Sequence, residues 1–193
     1  MLQTGSEGMN EGDSLKLRDN AISRRVDNFV RICGELFSWL WLVLLAVIIL
    51  NVVLRYVFRR GMIELEELQW YLYAAAWLVG LSYTFIEDGH VRVDAVFENL
   101  KHRTQLWFEL LGLLLLFMPF VLFIVYFSIP FVELSWETSE RSTSANGLAA
   151  RWLIKGCLLF SFSLLFLAGL ARLIRVVDTL KSILRGQTYR SLR

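Results

Sequence analysis

The chain predicts an all-α integral membrane protein: four transmembrane helices arranged as two hairpins, with amphipathic interfacial helices. Three observations lead there. Apolar residues make up 56% of the 193 positions and the mean hydropathy is +0.51, beyond the usual composition of a soluble domain. Four runs, at about Leu36 to Leu54, Leu68 to Ile86, Trp107 to Val132 and Trp152 to Ile174, are each long enough to cross roughly 30 Å of hydrocarbon as helices. Stretches such as WLWLVLLAVIIL lack the polar face that a soluble bundle helix keeps toward water.

The basic residues set an orientation. With both termini inside, fourteen of the 20 Lys and Arg fall on the cytoplasmic side and six on the outer side, as the positive-inside rule requires. That topology makes Arg55 to Glu67 and Glu133 to Arg151 outward loops. The basic groups then read as topology signals and contacts to membrane lipids, not as a nucleic-acid patch. Cys33 and Cys157 sit near opposite faces of the membrane, too far apart for a disulfide. Some 35 mostly polar residues precede the first apolar run, so no cleavable signal peptide is expected and span one stays in the mature protein.

Taken in order, residues 1–20 are polar and rich in Gly and Ser, the composition of a disordered cytoplasmic tail. A single membrane domain is expected over 21–185, with a second short tail at 186–193. From Ile22 the spacing turns helical: Ile22, Val26, Phe29, Val30 and Cys33 share a face, which predicts an amphipathic helix in the inner interface. Span one closes on Asn51 and Arg55, four apart on one helix face. Span two opens on Glu64, Glu66 and Glu67. A cation at one helix C-terminus and anions at the next N-terminus are each favoured by the helix dipole. The same residues also permit a sharper reading, in which Arg55 pairs with Glu66 or Glu67 and locks the hairpin. Ala74, Ala75, Ala76 and Gly80 allow close helix approach in span two. The motif Gly89-His90-Val91-Arg92-Val93-Asp94 marks the inner turn, followed by a short interfacial helix. Span three contains Pro119, where a kink is expected, and Glu109 three residues inside its start. Span four begins near Lys155 and continues as a stripe of Leu173, Val176, Val177, Leu180 and Leu184 that predicts a helix running along the inner surface.

Several chemistries are missing. His90 and His102 both lie in the inner loop, so axial haem ligands at membrane depth are lacking. Ser161 and Ser163 have no histidine base nearby for a protease. No phosphate-binding loop of the Walker type occurs. The reading of the residues is therefore a non-enzyme without a cofactor or metal. A stand-alone small carrier or channel, with Glu109 or Lys155 as its charged site, is the alternative; a redox-enzyme anchor is a third.

Together, Asn51, Arg55-Tyr56, Glu66-Glu67 and the Gly89 to Asp94 motif resemble the small, DctQ-type membrane subunit of tripartite ATP-independent periplasmic (TRAP) transporters. A second region is similar as well: Ser135-Trp136, Glu140-Arg141-Ser142, Gly147-Leu148, Trp152 and Lys155. The resemblance covers roughly residues 30–175. It implies a multi-pass inner-membrane subunit partnered by a large DctM-type permease subunit and a periplasmic DctP-type binding protein, in cation-gradient-driven uptake of organic acids. It also implies a structural or docking role for Asn51, Arg55, Glu66, Glu67, Gly89, His90, Arg92, Asp94, Glu140, Ser142 and Lys155.

Overall fold

The computed structural model describes residues 20–87, 102–144 and 147–184, which are helical apart from turns and connecting loops. Helix α1 (Ala21–Ser38) and helix α2 (Leu40–Tyr56) form one rod, interrupted only at Trp39. Ser23 closes its start: the hydroxyl accepts the Asn20 N–H at 3.2 Å and donates to the Asn20 carbonyl at 2.9 Å. Helix α3 (Ile63–Ile86) follows after a turn in which Arg59 adopts a left-handed φ of 54°.

A second rod contains helix α4 (His102–Leu111), a π-helical segment at Gly112–Phe117 and helix α5 (Met118–Glu137). Pro119 explains the π segment. Proline has no N–H, and its ring excludes the carbonyl four residues back; the Met118 N–H instead reaches five residues back, to the Leu113 carbonyl. A local π turn thus accommodates the proline expected to disturb span three. Helix α6 (Trp152–Leu184) is the longest element, at 33 residues.

Among the described residues three rods are long and apolar enough to cross a membrane: Ala21–Tyr56, Arg103–Glu137 and Trp152–Leu184. Helix α3 is 24 residues long but less apolar, because Glu64, Glu66, Glu67 and Gln69 occupy its first two turns and Trp and Tyr its middle.

Helix α6 is the hub, packed against α5, α3 and α1. Its small residues allow this: Ser161, Ala168, Gly169 and Ala171 are all buried, letting neighbouring backbones approach. One core cluster joins Leu106 and Leu113 to Val176 and Leu180, with Phe85, Phe117 and Leu173 around it. Another joins Val30, Val79 and Leu164, flanked by Val26, Cys33 and Phe37. Helix α2 lies at the edge and packs mainly on α3.

Two expectations are changed. The apolar face of helix α1 is not all turned to the interface: Val26, Val30 and Cys33 pack into the bundle, whereas Ile22 and Phe29 are exposed. The end of α6 does not stand apart either, because Val176 and Leu180 are buried beside Leu106 of α4. An ion pair and a hydrogen bond tie the two helices together: Asp27 of α1 meets Arg175 of α6 at 3.1 Å, and the Asn20 amide donates to Asp178 at 3.0 Å. The Gly89 to Asp94 motif, the helix expected after it, the second tail and all of the first tail but Asn20 lie outside the described residues.

Candidate functional site

The charged side chains of the described helices gather into two layers, one at each end of the bundle. From 36 to 54, 68 to 86, 110 to 132 and 156 to 171 the chain has no Asp, Glu, Lys, Arg or His. Charges are costly in hydrocarbon, so their confinement to the ends is what a membrane environment selects.

The layer that the basic residues predict to face outward, the outer layer, begins with Arg55 at the end of α2, whose guanidinium is paired with Glu66 at the start of α3. Both side chains are about half exposed, so this contact contributes less than about 1 kcal/mol. Reversing it through Arg55→Glu should lower the melting temperature slightly, and Glu66→Arg in the same chain should restore it. Additive losses in the double variant would show that the pair does not lock this turn. Asn51, one turn earlier, is instead buried, with its Oδ1 unpartnered.

Glu67 faces another element. Its carboxylate accepts from the Ser142 hydroxyl and, at 2.6 Å, from the Leu148 N–H. One glutamate at the start of α3 thereby holds the loop between α5 and α6. Gly147 makes room for it: a Cβ there would collide with Ser142 and come within 2.9 Å of Glu67 Oε1. Glu140 anchors the other edge of the loop, accepting from Lys155 Nζ at 2.5 Å and lying 3.4 Å from Arg151. The Glu140 carbonyl also accepts the Arg151 N–H at 3.3 Å. Lys155 sits over the Phe131 ring, 3.9 Å from its centroid, and Trp136 meets Trp152 edge-on.

The Ser142 hydroxyl and the Leu148 N–H, both bonded to the charged form, hold the Glu67 carboxyl below its ordinary range. Lys155 does the same for Glu140. A carboxylate whose pKa is lower folded than unfolded contributes stability that is present above the unfolded pKa and lost as pH falls through the folded one. The loop therefore stays closed at neutral pH and opens on acidification below the usual carboxylate range. The protection factor of the Leu148 amide reads this directly. Glu67→Gln should reduce it already at neutral pH; unchanged protection would mean the carboxylate does not hold the loop.

Among the described residues the opposite, inner layer has three ion pairs. Arg31 meets Glu87 at 2.7 Å, Arg175 meets Asp27, and Arg172 meets Glu109 at 2.5 Å. The last is the most enclosed, with side chains 6% and 10% exposed, and the Arg172 guanidinium lies 5.7 Å from the Phe85 ring. Between the layers, the Ser82 hydroxyl donates to the Ser161 carbonyl at 3.1 Å, joining α3 to α6.

The layers are a membrane thickness apart. Lys155 and Arg172 are 17 residues apart on α6, about 26 Å of helix. Arg31 and Arg55 are 24 residues apart on the first rod, about 36 Å. These bracket the hydrocarbon thickness of about 30 Å.

The structure thus brings Arg55 to Glu66, Glu67 to Ser142, and Glu140 to Lys155. It separates Asn51 from that surface, while Gly89, His90, Arg92 and Asp94 lie outside the described residues. Arg172 was missed in the sequence as the partner of Glu109. A signal existed: Glu109 lies just inside the inner start of span three and Arg172 just inside the inner end of span four, hence at one depth. Among the described residues no cluster of His, Cys, Asp and Glu could hold a metal ion.

A family model described as "Tripartite ATP-independent periplasmic transporters, DctQ component" matches residues 44–179. No curated protein matches the chain.

Proposed function

Since the chain belongs to the DctQ family of tripartite ATP-independent periplasmic transporters, a family of transport components and not of catalysts, we propose that it is the rigid brace of its transporter. In this reading it crosses the inner membrane four times, with α3 as the second span and both termini in the cytoplasm. It supports the large DctM-type permease subunit, which carries the transport site. The loops at 56–62 and 138–151 face outward and help dock the DctP-type binding protein. The complex takes up organic acids, driven by a cation gradient.

One observation supports this above all: the charged groups of the helices sit in two end layers tied to one another, and the apolar segments between them contain no ionisable Asp, Glu, Lys, Arg or His. A carrier needs a site near mid-membrane that can bind and release its cargo. Glu109 and Lys155, the two residues a stand-alone carrier would use, are each engaged by a partner at the ends of the bundle, Arg172 and Glu140. The stand-alone reading is therefore not favoured.

Deleting this chain while the large subunit is still made and inserted tests the proposal. High-affinity uptake should be lost. Uptake that persists undiminished would remove the bracing role.

A further inference from the structure

Helix α1 has a row of side chains that the bundle leaves uncovered. Ile22, Phe29, Ile32 and Leu36 recur at steps of seven, three and four, so they lie along one side of the helix. They are 62%, 51%, 63% and 67% exposed. Arg25 stands in the same row, three residues after Ile22 and four before Phe29; Arg24 projects about 100° around the helix from it, and both are exposed. Among the described residues neither arginine has an acidic partner. The nearest carboxylate on the helix, Asp27, is held by Arg175, and the next arginine, Arg31, is held by Glu87.

Depth orders this row. The Arg31–Glu87 pair marks the inner layer. Leu36 and Ile32 lie on its hydrocarbon side, and Phe29 lies at its level. Arg25 is six residues beyond Arg31, about 9 Å of helix, which reaches the polar zone of roughly 5–8 Å that borders the hydrocarbon on each side. Read from the membrane centre inward, the row runs apolar, apolar, aromatic, cationic, and closes on Ile22 one turn beyond Arg25. A phospholipid standing in the inner leaflet has the same order, chain then phosphate. Guanidinium groups suit that end because their paired N–H donors match phosphate oxygens.

We propose that this face of α1 is a binding site for one anionic phospholipid of the inner leaflet, its acyl chain along Leu36, Ile32 and Phe29 and its phosphate held by Arg25 with Arg24. The site rests on the membrane reading above and is independent of which permease the chain braces. A basic residue near an anionic headgroup contributes roughly fivefold in affinity, so the two together set a strong preference for phosphatidylglycerol over phosphatidylcholine.

The test uses the full chain, purified in mild detergent, stripped of lipid and offered an equimolar mixture of the two lipids, with the bound lipid identified by native mass spectrometry. Wild type should retain phosphatidylglycerol more than tenfold over phosphatidylcholine. Arg24→Gln with Arg25→Gln should abolish the preference, and Arg59→Gln with Arg60→Gln, on the turn at the other end of the rod, should keep it. Equal retention by wild type, or a preference that survives loss of Arg24 and Arg25, overturns the proposal. So does a photo-crosslinker on Phe29→Cys that captures the large subunit or a second copy of this chain, and not lipid, in native membranes. Co-purification of the permease is read separately, so a failed lipid site and a failed subunit assignment are distinguishable.

Discussion

Replacing Arg172 by leucine should destabilise the chain by about 3–5 kcal/mol, because it takes a close guanidinium from the enclosed Glu109 carboxylate. The pair is 2.5 Å apart and less than about a tenth exposed on either side. It joins α4 to α6 where Leu106, Leu113 and Val176 form a core cluster. Glu109→Leu alone should cost a comparable amount, now taking the carboxylate from the enclosed guanidinium. The double variant, Glu109→Leu with Arg172→Leu, should recover most of the loss, since two apolar side chains in an apolar site incur no charge desolvation. Denaturant titration of the purified chain measures all three. A small effect of either single variant, or a double variant that is the sum of the two, would mean the charges are solvated and not mutually compensating.

Gly169→Ala should destabilise by about 1–3 kcal/mol, the usual cost of overfilling a packed interior. A Cβ at this position would collide with Phe117 Cε1 and lie 3.0 Å from Met118 Cε. The methionine tip can move. The Phe117 ring cannot do so cheaply, since it is stacked on Phe85 at 4.6 Å between centroids and belongs to the segment that turns into a π helix ahead of Pro119. Gly156→Ala, on the same helix, is the contrast. Nothing lies within 4 Å of its added methyl, so the gain in helix propensity, about 0.5–1 kcal/mol, should appear as stabilisation. Melting curves of the two variants should therefore move in opposite directions; shifts of the same sign would show that α6 does not make its close approach at Gly169.

How much of this was legible beforehand follows from range. The long apolar runs were legible because hydrocarbon imposes its demand on consecutive residues. The contact of Arg55 with Glu66 was legible because a short turn leaves the end of one helix beside the start of the next. The role of Glu67 was not, since its partners Ser142 and Leu148 lie 75 and 81 positions away and the spacing of three glutamates cannot say which one turns inward. Helix α1 shows a further limit. Its periodicity gathers Ile22, Val26, Phe29, Val30 and Cys33 on one broad face, and only the positions of α3 and α6 divide that face into a packed half and an exposed half. The family resemblance located the outer polar cluster by motif, while the inner layer, built from Arg31, Asp27, Glu109 and Arg172, depends on helix ends meeting at one depth.

The most direct measurement is the composition of the particle that contains this chain. The protein is tagged, extracted gently from its native membrane, and everything that co-purifies is identified and quantified. A multi-span permease subunit recovered in fixed ratio is the predicted result. A lone oligomer of this chain, obtained in several mild detergents while the permease remains abundant in the same membrane, would contradict the account and return attention to Glu109 as a carrier's charged site.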